Sequence, residues 1–178
     1  GSTALSSGMI TACGTALQKA ADIDDDTAEL FARDIQSKAG GKADPHLLAA
    51  ICAGSGPAID WLIECHNMDL VLVDGPPYPG HSRQRTHAPP TNSGADLMAD
   101  LLRAVDAAHI DVICNATVKE LIVDGDKVSG VVITRPDGSS ERLGCQTLVL
   151  ASSGFGGNAD MVKSWLPDMA GSIYFGHE

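Results

Sequence analysis

Aromatic side chains are scarce, at 4% of the 178 residues. A core of packed rings is therefore excluded, and burial has to come from the aliphatic residues of a chain that is 44% hydrophobic. Paired cysteines are lacking too. Cys13, Cys52, Cys65, Cys114 and Cys145 are odd in number, and no two form a C-x-x-C pair. That pattern argues against a disulfide framework and against a zinc or other metal site, and predicts reduced thiols in a cytoplasmic protein. Positive charge is also in deficit. Twelve Lys and Arg against 23 Asp and Glu give a net charge of −11, which argues against nucleic acid and against an anionic membrane surface as partner. No uninterrupted apolar run approaches the roughly 20 residues of a membrane-spanning helix, and no signal peptide is visible. The length suits one domain.

The most informative stretch runs from Thr147 to Asn158. Thr147-Leu148-Val149-Leu150 is short, apolar and uncharged, and predicts a fully buried parallel strand. Ala151-Ser152-Ser153-Gly154-Phe155-Gly156-Gly157 follows, small enough for backbone to approach a ligand closely. Asn158 or Asp160 then suits the cap of a helix through Trp165, with Pro167 as its stop. Strand, glycine turn and helix together present free backbone N–H groups to a phosphate or an adenosine. Gly154-x-Gly156-x-x-Ala159 also fits G-x-G-x-x-G/A. That fingerprint needs a second parallel strand carrying an acid roughly 20 residues on. Glu178 has the spacing, but Tyr174-Phe175-Gly176-His177 leaves no room for the strand. The turn is therefore expected to be either a late nucleotide contact of a larger fold or only a tight turn.

Residues 1–15 are rich in Gly, Ser, Thr and Ala, which suits either a frayed terminus or backbone lying against a flat ligand. Ala4, Leu5, Met9 and Ile10 favour the second. Asp24-Asp25-Asp26-Thr27 reads as the solvated start of a helix rather than a metal site, with Gly40-Gly41 ending that helix. Asp44-Pro45 opens another, with Leu47, Leu48, Ile51 and Cys52 as its buried stripe. Gly54-Ser55-Gly56-Pro57 predicts a break before a further helix from Ala58 to Cys65. Leu70–Val73 reads as a short strand. Residues 74–90 are too rich in Pro and Gly for regular structure, and they concentrate Arg83, Arg85, His81 and His87. This loop suits either a contact with an anion or substrate, or arginines paired with the acidic surplus. Thr91-Asn92-Ser93-Gly94 leads into a helix from Ala95 to Ala108, its small residues suiting either close approach to a ligand or, at Ser93, a cap, and a strand from Asp111 to Cys114 follows. Turns at Asp124-Gly125-Asp126 and Arg135-Pro136-Asp137-Gly138 then predict a three-stranded antiparallel meander ending at Cys145.

This order and these residues resemble the FAD-binding domain of the fumarate reductase/succinate dehydrogenase flavoprotein family, over essentially the whole chain. Gly1-Ser2-Thr3-Ala4-Leu5-Ser6-Ser7-Gly8-Met9 is similar to the family's flavin-wrapping G-[NS]-[ST]-x-x-[AS]-x-G-[GM] segment. Asp44-Pro45-His46-Leu47 and Ala58-Ile59-Asp60-Trp61-Leu62 resemble its helical signature, and Asn115-Ala116-Thr117-Val118 the strand whose valine backbone meets adenine. Thr147 to Asn158 resembles its A-[TC]-G-G-F-[GA]-x-N turn, with Ser152-Ser153 in place of Thr-Gly, and Arg85-x-His87 its R-x-H-x-P loop. The resemblance implies FAD as cofactor, with contacts from Ser2, Thr3, Ser6, Ser7, Gly8, Met9, Val118, Ala151, Ser152 and Gly154. It assigns no catalytic residue to this chain.

The fold implied is α/β: an incomplete FAD-binding domain of the glutathione-reductase-like Rossmann type, with parallel strands, the antiparallel meander and flanking helices. In the family a strand and a G-x-G-x-x-G helix precede the flavin segment, and a T-G-D-G motif and a substrate-capping domain follow. Residues 1–178 are thus expected to be one partial domain, with Phe175-Gly176-His177-Glu178 just before the T-G-D-G motif. The chain is expected to be part of an oxidoreductase passing hydride between flavin and a C–C bond of a small organic substrate, and to be inactive alone. Loss of a central strand predicts exposed sheet edges open to self-association. The other reading is a stand-alone nucleotide-binding or protein-interaction module without redox chemistry.

Overall fold

The computed structural model describes residues 1–174, and Phe175, Gly176, His177 and Glu178 lie outside the described residues. The chain divides into two compact units, residues 1–109 and the residues from 110 onward.

In the first unit, helix α1 (Ser2–Leu5) and strand β1 (Ile10–Thr11) are followed by α2 (Ala16–Ala20), α3 (Ala28–Lys38) and α4 (Pro45–His66). Strands β2 (Val71–Leu72) and β3 (Thr86–Ala88) and helix α5 (Gly94–Ala107) complete it. The strands form one antiparallel sheet in the order β1-β3-β2, with Ile10 opposite His87 and Val71 opposite Ala88. Ala12, Ile59, Met68, Leu70 and Leu97 make one core cluster, and Cys13, Phe31, Leu48 and Cys52 a second. Aliphatic and thiol side chains do carry the burial, with Phe31 as the aromatic exception.

Local chemistry sets the helix ends. Thr27 caps α3 by accepting from Leu30 N, and Gly40 and Gly41, both at positive φ, follow its last residues. Asp44 Oδ1 accepts from the amides of His46 and Leu47 at the start of α4, where Pro45 takes the first position. The predicted break at Gly54-Ser55-Gly56-Pro57 is absent: α4 runs unbroken for 22 residues to His66. Packing overrides the local signal here. A Cβ on Gly56 would fall 2.2 Å from Cys13 O, so this glycine is where another backbone crosses the helix. Near Pro57, the carbonyl of Cys52 accepts from Cys13 Sγ at 3.3 Å and Ser55 Oγ at 3.2 Å. The unbroken helix is long and apolar enough, by length and composition, to cross a membrane, which the punctuated sequence concealed. It nonetheless buries Leu48, Cys52, Gly56 and Ile59 within the first unit. The buried stripe also differs from expectation, because Leu47 and Ile51 point outward, at 65% and 60% exposure.

Two further expectations change. Residues 74–90 are not irregular throughout, since β3 is the central strand of the first sheet and is buried at every position. The acidic run is not wholly solvated either, since Asp26 is buried.

In the second unit, β4 (Thr117–Asp124), β5 (Lys127–Thr134) and β6 (Ser140–Gly144) form the expected antiparallel meander, in the order β4-β5-β6. Gly125 and Gly138, both at positive φ, make its turns. Gly130, Val131 and Ile133 of β5 are its buried residues. Asn158 caps α6 (Ala159–Trp165) through Met161 N, and Pro167 opens a single 3-10 turn after it. The parallel strands expected at 111–114 and 147–150 are not formed among the described residues, and both sheets are antiparallel. Val149 and Leu150 are 81% and 66% exposed, and Val112 and Ile113 are exposed as well. An apolar run becomes a buried strand only when neighbours cover both of its faces.

Candidate cofactor-binding surfaces

The first surface is the segment from Ser2 to Met9. Ser6 ends α1, its hydroxyl donating to Thr3 O at 2.7 Å and accepting from Gly8 N at 3.0 Å. This small hydroxyl-built turn lies on the start of α5, where Gly94 N donates to Ser6 O at 2.8 Å. Both glycines are required sterically. Gly8 has φ +68°, and a Cβ there would sit 2.9 Å from Ser93 O; a Cβ on Gly94 would sit 2.0 Å from Thr3 O. Two backbones in contact, with no side chain between them, hold the segment against the helix. Gly8 is buried beneath it, while Ser2, Thr3, Ser6 and Ser7 are exposed. Met9 is 36% exposed, and its Sδ accepts from Tyr78 Oη at 3.3 Å. The N-terminal residues are thus anchored rather than frayed, and they present hydroxyls and backbone outward.

A buried polar cluster fixes the strand that follows. Arg85 is fully buried; its guanidinium donates to Asp26 Oδ1 at 2.7 Å and Asp34 Oδ2 at 2.5 Å, and lies 4.6 Å from the Phe31 ring centroid. Arg83 pairs with Asp25. Of the two readings for these arginines, the structure therefore gives pairing with the acidic surplus. Burial works to lower the Arg85 pKa, but the two carboxylates outweigh it and raise it further. Asp34 shows the opposite balance. Burial works to raise it, yet bonds from Ser82 Oγ and N and from Arg85 hold it at about 2. Asp26 also accepts from Gln18 Nε2, and Gln18 and Thr15 form a reciprocal capping box at the start of α2. Thr15 Oγ1 accepts from Gln18 N at 3.0 Å and lies within hydrogen-bond distance of His87 Nε2, at 2.9 Å. His87 Nδ1 lies 2.9 Å from Arg85 O and donates to it. Burial pushes the His87 pKa down, which favours the neutral ring, and the Arg85 carbonyl, which can only accept, then puts its hydrogen on Nδ1. Through Ala12 N to Arg85 O, at 2.9 Å, and the β1–β3 pairing, this cluster sets the exit of the Ser2–Met9 segment.

The second surface lies in the other unit. Val118 sits in β4 opposite Ile133, beside an irregularity in register, and is 51% exposed. Ala151, Ser152 and Gly154 are all exposed, and a Cβ at Gly154 would meet nothing within 4 Å. Ser153 adopts φ +68° in the turn where the resembling family has glycine. The run is open and made of small residues, with Ser153 in the left-handed region.

The small residues at Ser93-Gly94 do allow a close approach, of the Ser2–Met9 backbone, whereas Tyr78 as a support of the first surface and Thr15, Gln18, Asp26 and Asp34 as its buried frame were not anticipated. The Thr15-x-x-Gln18 box was a readable signal. The pairing of residues 26, 34 and 85 had none, because it joins positions far apart in the chain.

The fold is mixed α/β, and each surface taken by itself presents small residues and backbone. Comparison with known proteins makes this specific. Residues 1–174 match the FAD binding domain family. An NADH:fumarate oxidoreductase of Klebsiella pneumoniae (strain 342) is 30% identical over 100% of this chain and 19% of its own length. A urocanate reductase of Eggerthella lenta is 30% identical over 95% of this chain and 28% of its own. The open conformation of a flavocytochrome c3 fumarate reductase superposes with a TM-score of 0.85 and 28% identity, over 96% of this chain and 30% of that one. The chain belongs to the FAD-binding domain family of the fumarate reductase-type flavoproteins, whose cofactor is FAD. It spans less than a third of the length of each of these relatives.

Proposed function

We propose that this chain is the partial FAD-binding domain of an oxidoreductase that reduces the C=C bond of a small unsaturated carboxylate. The observation that carries the reading is the Ser2–Met9 segment, locked backbone to backbone on α5 through Gly8 and Gly94 in a chain whose residues 1–174 match the FAD binding domain. Fumarate and urocanate, in the names of the two relatives, share an unsaturated carbon chain carrying carboxylate. When bound, FAD supplies hydride exchange at its flavin ring.

The residues of this chain position that cofactor. Ser2, Thr3, Ser6 and Ser7 offer exposed backbone and small polar side chains to it, with Gly8 and Met9 shaping the wall. Val118, Ala151, Ser152 and Gly154 offer backbone from the second unit. The G-x-G-x-x-G unit, the capping domain and the proton donor belong to other parts of the parent polypeptide. Those parts would also cover Val112, Ile113, Val149 and Leu150 and complete a parallel sheet of Rossmann type. The 178 residues alone are expected to be inactive.

The test is to purify the parent protein and its Gly8→Val variant. Flavin absorbance in the first and its loss in the second, with the fold kept by circular dichroism, supports the cofactor surface. Oxidation of a reduced dye by fumarate or urocanate supports the substrate class. Flavin retained in full by Gly8→Val counts against the assignment of Ser2–Met9. An adenine nucleotide held by the 178 residues alone, without flavin, favours a stand-alone binding module.

A further inference from the structure

One hydrogen bond ties the Ser2–Met9 segment to a distant loop. Tyr78 Oη donates to Met9 Sδ at 3.3 Å, across 69 positions of sequence. Met9 ends the segment, and the backbone on either side of it is already fixed. Gly8 is pressed against Ser93 and Gly94, and Ile10 is paired with His87. What packing leaves free is the Met9 side chain, partly exposed and carried on three rotatable bonds. In a segment built largely of Gly, Ser, Thr and Ala, a loose thioether would leave the wall without a defined shape.

The donor comes from a stiff loop. Tyr78 stands between Pro77 and Pro79, so ring closure fixes φ at both neighbours and the second proline restricts Tyr78 itself. The His81 amide donates to Tyr78 O at 2.9 Å and closes the turn. Gly80, at φ +96°, passes over the side chain of Lys38, where a Cβ would fall 3.2 Å from Cδ. The Tyr78 ring leads to His81 at 6.5 Å between centroids, and His81 to Phe31 at 6.1 Å, beside buried Arg85. Little freedom is lost when a hydroxyl held this way settles on the sulfur. Tyr78 is itself half exposed, so its hydroxyl adds little to the core.

We infer that Tyr78 is a positioning residue for the cofactor: by holding Met9 Sδ it fixes the Met9 side chain, and with it the shape of the wall that meets FAD. The inference rests on the flavin reading of Ser2–Met9. It adds that the Pro-rich loop, which the arginine pairing left without a role at the site, controls how well that wall fits. The effect of the bond is then felt at FAD and not in the fold.

The test uses the parent protein with Tyr78→Phe, Met9→Leu and the two combined. Tyr78→Phe keeps the ring and removes the donor, and Met9→Leu keeps the volume and removes the acceptor. FAD is titrated into the flavin-stripped proteins, and their thermal unfolding is followed in parallel. Each single substitution should raise the Kd for FAD about three- to tenfold, the worth of one hydrogen bond, with the combined variant no weaker than either. Melting temperatures without flavin should move by no more than about 2 °C. Losses that multiply in the combined variant, or a Kd unchanged in Tyr78→Phe, overturn the proposal. The Met9 methyl resonance, in protein with isotope-labelled methionine methyls and assigned by its loss in Met9→Leu, reads the bond without flavin. It should shift in Tyr78→Phe. No FAD uptake by the natural parent protein overturns the flavin reading and this role with it, whereas uptake with an unmoved Met9 resonance overturns this role alone.

Discussion

Gly8 and Ser153 sit at the same left-handed φ of +68° for opposite reasons. At Gly8 the space is closed, with a Cβ only 2.9 Å from Ser93 O. Gly8→Ala is expected to lower stability by about 1–3 kcal/mol, since strain and overpacking act together. It should also weaken FAD binding in the parent protein, checked by thermal denaturation and flavin titration. At Ser153 the residue itself is the strained party, because an L side chain pays about 1 kcal/mol in this region. Ser153→Gly should therefore stabilise the chain by up to about 1 kcal/mol, read as a higher urea midpoint. A lower midpoint would mean that the serine makes a compensating contact in the turn.

At the scale of elements, two crossings hold the first unit together. Cys13 passes over α4 at Gly56, where a Cβ would fall 2.2 Å from the carbonyl oxygen. Gly56→Ala cannot be absorbed by a side-chain rotation, and we expect a loss of about 2–3 kcal/mol in chemical denaturation. Gly54→Ala, two residues away with open space around it, is expected to be neutral or slightly stabilising. The second crossing is Arg85 between α3 and the loop before it. Removing the guanidinium in Arg85→Met leaves Asp26 and Asp34 facing each other without a cation, and should cost about 3–5 kcal/mol. Combining Arg85→Met with Asp26→Asn and Asp34→Asn should recover part of that loss. No recovery would show that the packing of Arg85 on Phe31, rather than its charge, holds the strand.

For the whole molecule, the buried groups set how stability depends on pH. His81 and His87 are both pushed down by burial, so they stay neutral in the fold while the unfolded chain takes up protons near their ordinary value of about 6.5. Below that value the unfolded state binds more protons, and stability falls as pH falls. Asp34 acts at lower pH. Its folded pKa of about 2 lies below the unfolded 3.8, so its contribution, roughly 2 kcal/mol, is complete above 3.8 and is lost as pH falls through 2. Acid denaturation should accordingly show two stages, a first below about 6.5 and a second below about 4. Urea midpoints measured from pH 8 to pH 3 check this, and His87→Gln should shrink the first stage while leaving the second. A flat profile down to pH 4 would mean that the two imidazoles gain protons equally in both states.

Local chemistry was legible from the residues alone. Caps at Thr27, Asp44, Ser93 and Asn158, glycine stops at Gly40 and Gly41, and the Gly125 and Gly138 turns of the meander depend on a residue and its near neighbours, so composition and spacing reveal them. The family resemblance was legible for a related reason, because small residues that admit a cofactor leave a fixed spacing. Tertiary structure alone decided the rest. It kept α4 unbroken across Gly54-Ser55-Gly56-Pro57, turned Leu47 and Ile51 outward, placed Arg85 between two acids from distant segments, and made β3 a central strand. Each of these turns on which surfaces meet across long sequence separations, and burial, unlike a cap or a turn, belongs to a pair of surfaces and not to a stretch of chain.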